Sequence, residues 1–256
     1  VHAVIIYCPR NTRKDTEIFE VGFGPAVCSV CAVGAFWTDQ LIHFVDFEGS
    51  TVSGILEYGV VSWRAGEIVA ARGRLCRATG RVRAEDAAVH GIEADAVAAC
   101  APFAEDFEVF ATLRGSGPLA AHFANAENTL IKATWPYART AADFSREDGA
   151  GTAEWGPWID TGRLFPQARG AGWPVKLAEL VAAEGLQARL DELAAELCAP
   201  ERRRYHAALY DALAGALLLG RLVETPGWGG KSLRWLIEHS TLDPTRREER
   251  RQGELF

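Results

Sequence analysis

The order of strand-like and helix-like segments predicts an α/β domain, a mixed sheet flanked by helices. Three observations carry this expectation. Residues 41–47, 55–63 and 67–75 are β-rich runs separated by glycine-containing turns, the second short enough for a hairpin, so they form an antiparallel meander. Strand and helix then alternate: Phe103, Phe107, Phe110 and Leu113 recur at helical spacing over 102–113, 119–122 reads as a short buried strand, and 124–133 as a helix. Finally, 256 residues with 48% hydrophobic and 24% charged side chains suffice for a sizeable core.

Beyond residue 133, a Gly/Pro/charged loop over 136–156 leads to a last strand at 157–159. Asp160-Thr161 is placed to cap the helix that follows. Further helices are expected at about 175–183, 188–197, 207–222 and 232–240. The domain therefore spans 36–240, between an extension at 1–35 without steady period and a charged tail at 241–256.

With 27 basic and 34 acidic residues the net charge is −7, which argues against binding nucleic acid by bulk charge and leaves that role to local basic patches. No run approaches the roughly twenty apolar residues of a membrane helix, and Val1-His2-Ala3 lacks the basic region of a signal peptide. A cytoplasmic protein with no membrane partner is the expectation. The six cysteines (Cys8, Cys28, Cys31, Cys76, Cys100, Cys198) are scattered, as reduced thiols would be. Cys28 and Cys31 have the spacing of half a zinc site, but no second pair follows at finger-like distance.

Chemistry gathers at three places. His43-Phe44-Val45-Asp46-Phe47-Glu48-Gly49 puts two carboxylates two residues apart in an apolar strand, hence on one face. Either that face is solvated at a sheet end, or a hard cation such as Mg²⁺ or Mn²⁺ compensates the pair. The run 207–220 carries one charge, Asp211, in a helix that looks buried nearly all round, so this carboxylate needs a partner too. His206 and Asp211 converge best if His206 lies in the loop before the helix. In His122-Phe123-Ala124-Asn125-Ala126-Glu127, Glu127 falls early in a helix, where by itself it is a favourable first-turn charge.

Taken in order, these residues resemble the DnaQ-like DEDD family of 3′–5′ exonucleases, in its histidine branch, the family of the proofreading subunit of DNA polymerase III. Asp46-Phe47-Glu48-Gly49 is similar to its D-x-E motif and Val89-His90-Gly91-Ile92 to its V-H-G-I turn. Ala121 to Glu127 matches A-H-N-A-x-F-D in spacing, with Phe123 for Asn and Glu127 for Asp. Ile159-Asp160-Thr161 resembles the D-T ending the fifth strand, and His206-Ala207-Ala208-Leu209-Tyr210-Asp211-Ala212 matches H-x-A-L-x-D-A. The resemblance covers about 41–222.

It implies a ribonuclease H-like mixed five-stranded sheet and a two-metal site for Mg²⁺ or Mn²⁺. Asp46 would bridge two ions, Glu48 and Asp211 would bind one, and Glu127 would act through metal-bound water, where its extra methylene is either accommodated or disabling. His206 becomes the general base, since imidazole suits neutral pH. His90 and Ile92 would lie near the terminal nucleotide, with a turn packed on the sheet as the alternative. His122 is carried over as substrate-binding, Phe47 stacks on a base or enters the core, and Arg204, with Arg202 and Arg203, meets the backbone or is simply solvated.

The implied activity is release of nucleoside 5′-monophosphates from single-stranded 3′ ends, DNA before RNA, in proofreading or repair. The alternatives are an RNA-trimming exonuclease of the same fold and a catalytically weak nucleic-acid-binding or clamp-associated module. Gln252, Leu255 and Phe256 match three positions of the bacterial sliding-clamp-binding pentapeptide, with Gly253 departing from it.

Overall fold

The structure is a computed structural model that describes residues 36–240, apart from 147 and 171. The extension at 1–35 with Cys8, Cys28 and Cys31, and the clamp-like residues Gln252, Leu255 and Phe256, lie outside the described residues. Strands β1 (Ile42–Ser50), β2 (Gly54–Arg64) and β3 (Glu67–Leu75) form the expected meander. Then follow α1 (Ala84–His90), α2 (Phe107–Ser116), β4 (Leu119–Ala121) and α3 (Ala124–Thr134). A small hairpin of β5 (Ala141–Ala142) and β6 (Gly151–Thr152) precedes β7 (Trp158–Asp160) and α4 (Thr161–Arg169). The chain continues through α5 (Leu177–Ala183), α6 (Gln187–Leu197), α7 (Ala208–Val223) and α8 (Leu233–Ser240).

The five-stranded sheet runs β3-β2-β1-β4-β7, antiparallel across the first three strands and parallel from β1 through β4 to β7. This is the ribonuclease H-like α/β fold. The period of two sorts β1 between two cores. Ile42 and Phe44 join Val61, Trp63 and the apolar length of α7, whereas Val45 and Phe47 join Tyr58, Phe103, Phe110 and Trp155 on the opposite face. Asp46 and Glu48 therefore face α7.

That helix lies directly on the sheet because two glycines remove the intervening side chains. A Cβ on Gly59, which pairs with Asp46 across β1 and β2, would collide with the Ala208 carbonyl, and one on Gly215 would enter the Phe44 ring. The seat of α7 is thus set by backbone contact.

Three local differences from the sequence expectation have simple causes. The helical spacing from 102 resolves into one 3₁₀ turn, Phe103–Asp106, before α2 begins. The seven residues of α1 are too few to display a period, and the two-residue strands β5 and β6 sit inside what reads as loop. The fully buried Arg114 holds that hairpin, donating to the carbonyls of Ala142 and Gly156 while its guanidinium lies 5.0 Å from the Phe144 ring centre. Among the described residues, Cys76, Cys100 and Cys198 are buried, and no helix is long and apolar enough to cross a membrane.

Candidate active site

Strand alternation aims Asp46 and Glu48 at the N-terminal turn of α7, which carries Asp211. The loop before α7 turns back sharply at His206, whose φ of 61° is unusual for a residue with a side chain. The Asp211 carboxylate stabilises this turn by accepting the His206 N–H at 2.9 Å. As a result, one potential ligand atom from each of Glu48, His206 and Asp211 lies within 4.8 Å of the others. Glu127, one turn into α3, is buried, and the Phe47 backbone opposite it partly offsets the upward push of burial on its pKa. The added methylene carries its carboxylate into the same acidic cluster, where it repels Asp46. His206 itself is exposed at the rim.

The cluster is electrostatically incomplete. Asp46 Oδ2, Glu127 Oε2 and Asp211 Oδ1 are buried without a hydrogen-bond donor, a costly condition for anionic oxygens. Burial, followed by repulsion from Glu127, Asp211, Glu48 and Glu57, holds the Asp46 carboxyl well above the ordinary carboxylate range. Burial also raises Glu127, pushes Glu48 to about 8 and Asp211 to about 7. Orphaned carboxylate oxygens converging from β1, α3 and α7, with one imidazole beside them, are a donor set suited to a hard divalent cation.

One pair in this neighbourhood escaped the sequence reading. Glu57 pairs with Glu48 across β1 and β2, and it forms a direct ion pair with Arg202, which reaches Glu48 only at longer range. Its Oε1 accepts Arg202 Nε at 3.0 Å, and its Oε2 accepts both Arg202 Nη2 and the Ala208 N–H, the latter at 2.9 Å. A glutamate in an alternating strand and an arginine in a run of three both look like surface residues. Their contact spans 145 positions, so no local signal announces it.

Several expected substrate contacts are differently placed. Phe47 is a core residue, 5% exposed and packed between Phe103 and Phe110, because the alternation that turns Asp46 and Glu48 toward α7 turns Phe47 away. It offers no face to a base. Both ring nitrogens of His122 are engaged: Nε2–H donates to the Val175 carbonyl at 2.8 Å, and Nδ1 accepts from Thr161 Oγ1 at 3.0 Å. Burial pulls its pKa down to about 4, so the ring is a neutral internal brace instead of a phosphate ligand. Ile92 is buried with Leu56, Val97 and Cys100, which is the packed-turn alternative. His90 is buried too; its Nδ1 accepts the Ile92 N–H and its Nε2 has no partner. Arg204 is exposed and donates to the His90 carbonyl at 3.0 Å, while Arg203 ties the carbonyls of Cys198 and Ala195. Asp160 is the helix cap that its sequence context suggests, accepting the Gly162 N–H at 3.0 Å.

No family model matches the sequence, and no curated protein matches it. Solved structures do. Exonuclease X in complex with 5′ overhanging duplex DNA superposes with a TM-score of 0.55 at 23% identity, over 77% of this chain and 99% of that one. The chain has the fold of an exonuclease. Escherichia coli exonuclease I, solved with a dT13 oligonucleotide, gives a TM-score of 0.54 at 11% identity over 73% of this chain and 41% of its own. A 3′-exonuclease solved in recognition of a histone mRNA stem-loop gives 0.54 at 14% identity, over 77% and 67% of the two chains.

Proposed function

We propose that this protein is a divalent-metal-dependent 3′–5′ exonuclease of the DnaQ-like DEDD type, histidine branch, releasing nucleoside 5′-monophosphates from single-stranded DNA in proofreading or repair. The observation that carries the reading is the cluster of Asp46, Glu48, Glu127 and Asp211, in which three buried carboxylate oxygens have no donor, with the exposed imidazole of His206 beside Glu48 and Asp211. Mg²⁺ or Mn²⁺ ions held there, two in the full site, supply positive charge against the phosphodiester and acidify the attacking water. Asp46, Glu48 and Asp211 are the direct holders, and Glu127 closes the site from α3.

His206 takes the proton of the attacking water. Its ring is at the rim, its backbone is fixed by Asp211, and a base in that position serves both the incoming nucleophile and bulk solvent. Glu127 supports an active enzyme over a drifted binding module, since its carboxylate has not withdrawn to the surface as a first-turn helix charge would. DNA is favoured by the fold match that spans 99% of exonuclease X. RNA is the second reading, motivated by the equally close fold of the exonuclease solved with a histone mRNA stem-loop.

The test is hydrolysis of 5′-labelled single-stranded DNA and RNA of one sequence, with Mg²⁺, Mn²⁺ or chelator. Stepwise shortening from the 3′ end with release of 5′-monophosphates, abolished by chelator and faster on DNA, is the expected result. Faster shortening of RNA reassigns the substrate. No metal-dependent hydrolysis of either polymer overturns the reading.

A further inference from the structure

Arg202 fits neither the cluster's chemistry nor a solvated surface. Its side chain is only 13% exposed, and its guanidinium engages four acceptors in three segments: both oxygens of Glu57 on β2, the His90 carbonyl at 2.6 Å, and the His206 carbonyl at 3.2 Å. Glu57 meanwhile binds the Ala208 N–H, the residue that opens α7. One buried ion pair thus ties the sheet, the His90-Gly91 turn, the His206 loop and the start of α7. The left-handed backbone at His206 requires such support, because a β-substituted residue pays for that conformation and relaxes from it when its neighbours allow.

We propose that Arg202, locked by Glu57, is a positioning residue that acts through His206: it fixes the loop so that the imidazole faces the reacting phosphate, and it keeps that loop in register with the His90 turn. This rests on the reading of His206 as the base. The planar fork is the essential feature. A lysine at 202 retains the positive charge beside Glu57 but cannot hold both oxygens of Glu57 and two carbonyls at once. Simple charge balance therefore predicts that Arg202→Lys is harmless, whereas positioning predicts that it is not.

The experiment is a double-mutant cycle on the full chain, with Arg202→Lys, His206→Ala and the double variant assayed for kcat and KM on single-stranded DNA. Binding of Mn²⁺ and thermal midpoint are measured in parallel. His206→Ala lowers kcat by about 10²- to 10⁴-fold, the share of a general base. Arg202→Lys lowers kcat by roughly 10- to 100-fold, the scale of a misplaced catalytic group, with KM and Mn²⁺ affinity essentially unchanged. In the His206→Ala background the same lysine costs nothing more. Glu57→Gln keeps the side-chain shape and the acceptor for Ala208, and repeats the cycle if Arg202→Lys does not fold. An equal loss from Arg202→Lys in both backgrounds, or a loss confined to KM or Mn²⁺ affinity, overturns the inference while leaving His206 as base. Unchanged kcat in His206→Ala overturns the base assignment itself, and the inference with it.

Discussion

Asp160 and Asp46 are the same residue type on parallel strands of one sheet, β7 and β1, with β4 between them, and they do opposite things. Asp160 ends β7 where the N-termini of α3 and α4 meet, so unpaired backbone donors surround it. Its oxygens accept N–H groups from Phe123 at 2.9 Å, Gly162 at 3.0 Å and Ala124 at 3.2 Å, and Arg163 stands 3.7 Å away. Burial raises its pKa, but those donors pull it back. Asp46 lies within a strand, its Oδ2 is buried without a hydrogen-bond donor, and its nearest charged neighbours are other carboxylates. Burial therefore does not mark a functional carboxylate. The distribution of donors does.

The contrast can be tested from both sides. Asp46→Ala or Asp211→Ala is expected to abolish metal-dependent hydrolysis, and Asp46→Ala also to raise the thermal midpoint of the chelated protein, since it removes a member of a repelling cluster without breaking a bond such as the one Asp211 makes to the His206 N–H. A lowered midpoint in Asp46→Ala would make that carboxylate structural, like Asp160. Next in size is Glu127: alanine there should lose most of the turnover, and aspartate should keep a measurable part of it, the position being one that tolerates about one bond length. Equal rates for wild type and Glu127→Ala would reduce Glu127 to a helix charge.

On the structural side, Asp160→Ala should cost about 2 kcal/mol by uncapping two helix starts, with Mn²⁺ affinity unaltered; a calorimetric titration beside a denaturant melt separates the two. The last test is in pH. The folded-state pKa values of Glu48 (about 8) and Asp211 (about 7) exceed their ordinary values of 4.5 and 3.8, so the folded chain binds more protons than the unfolded one. Stability of the chelated protein is then greatest below about pH 4 as far as these groups are concerned, and is lost progressively up to about pH 8. Saturating Mn²⁺ should flatten that slope, because the ion replaces the protons. Melts from pH 5 to 8 with and without Mn²⁺ read it directly, and a slope indifferent to the ion would separate the titrating groups from the metal site.

Much of this arrangement was legible because it violated local expectations. Two carboxylates in an apolar strand and a single charge in an apolar helix both demand compensation, and each falls at the site. The meander, α3, α6, α7 and α8 follow from period and length. The misplaced residues were those whose neighbours are distant in sequence. Phe47 was decidable from the alternation that already fixed Asp46, but His122 was not, since its partners Thr161 and Val175 arrive from α4 and the segment before α5. Glu57 and Arg202 conform to every local rule for surface residues, and only the closing of α7 over β2 makes them a pair.

The direct seating of α7 on the sheet also shapes how this protein can vary. Loops around the site can be rewritten without altering the spacing of its acids, but a single methyl group at Gly59 must push back Ala208, three residues before Asp211. Inactivating alleles should therefore gather at two glycines that meet no substrate, Gly59 and Gly215, as densely as at the acids themselves. The chemistry has its most exacting requirement where the chain carries no side chain.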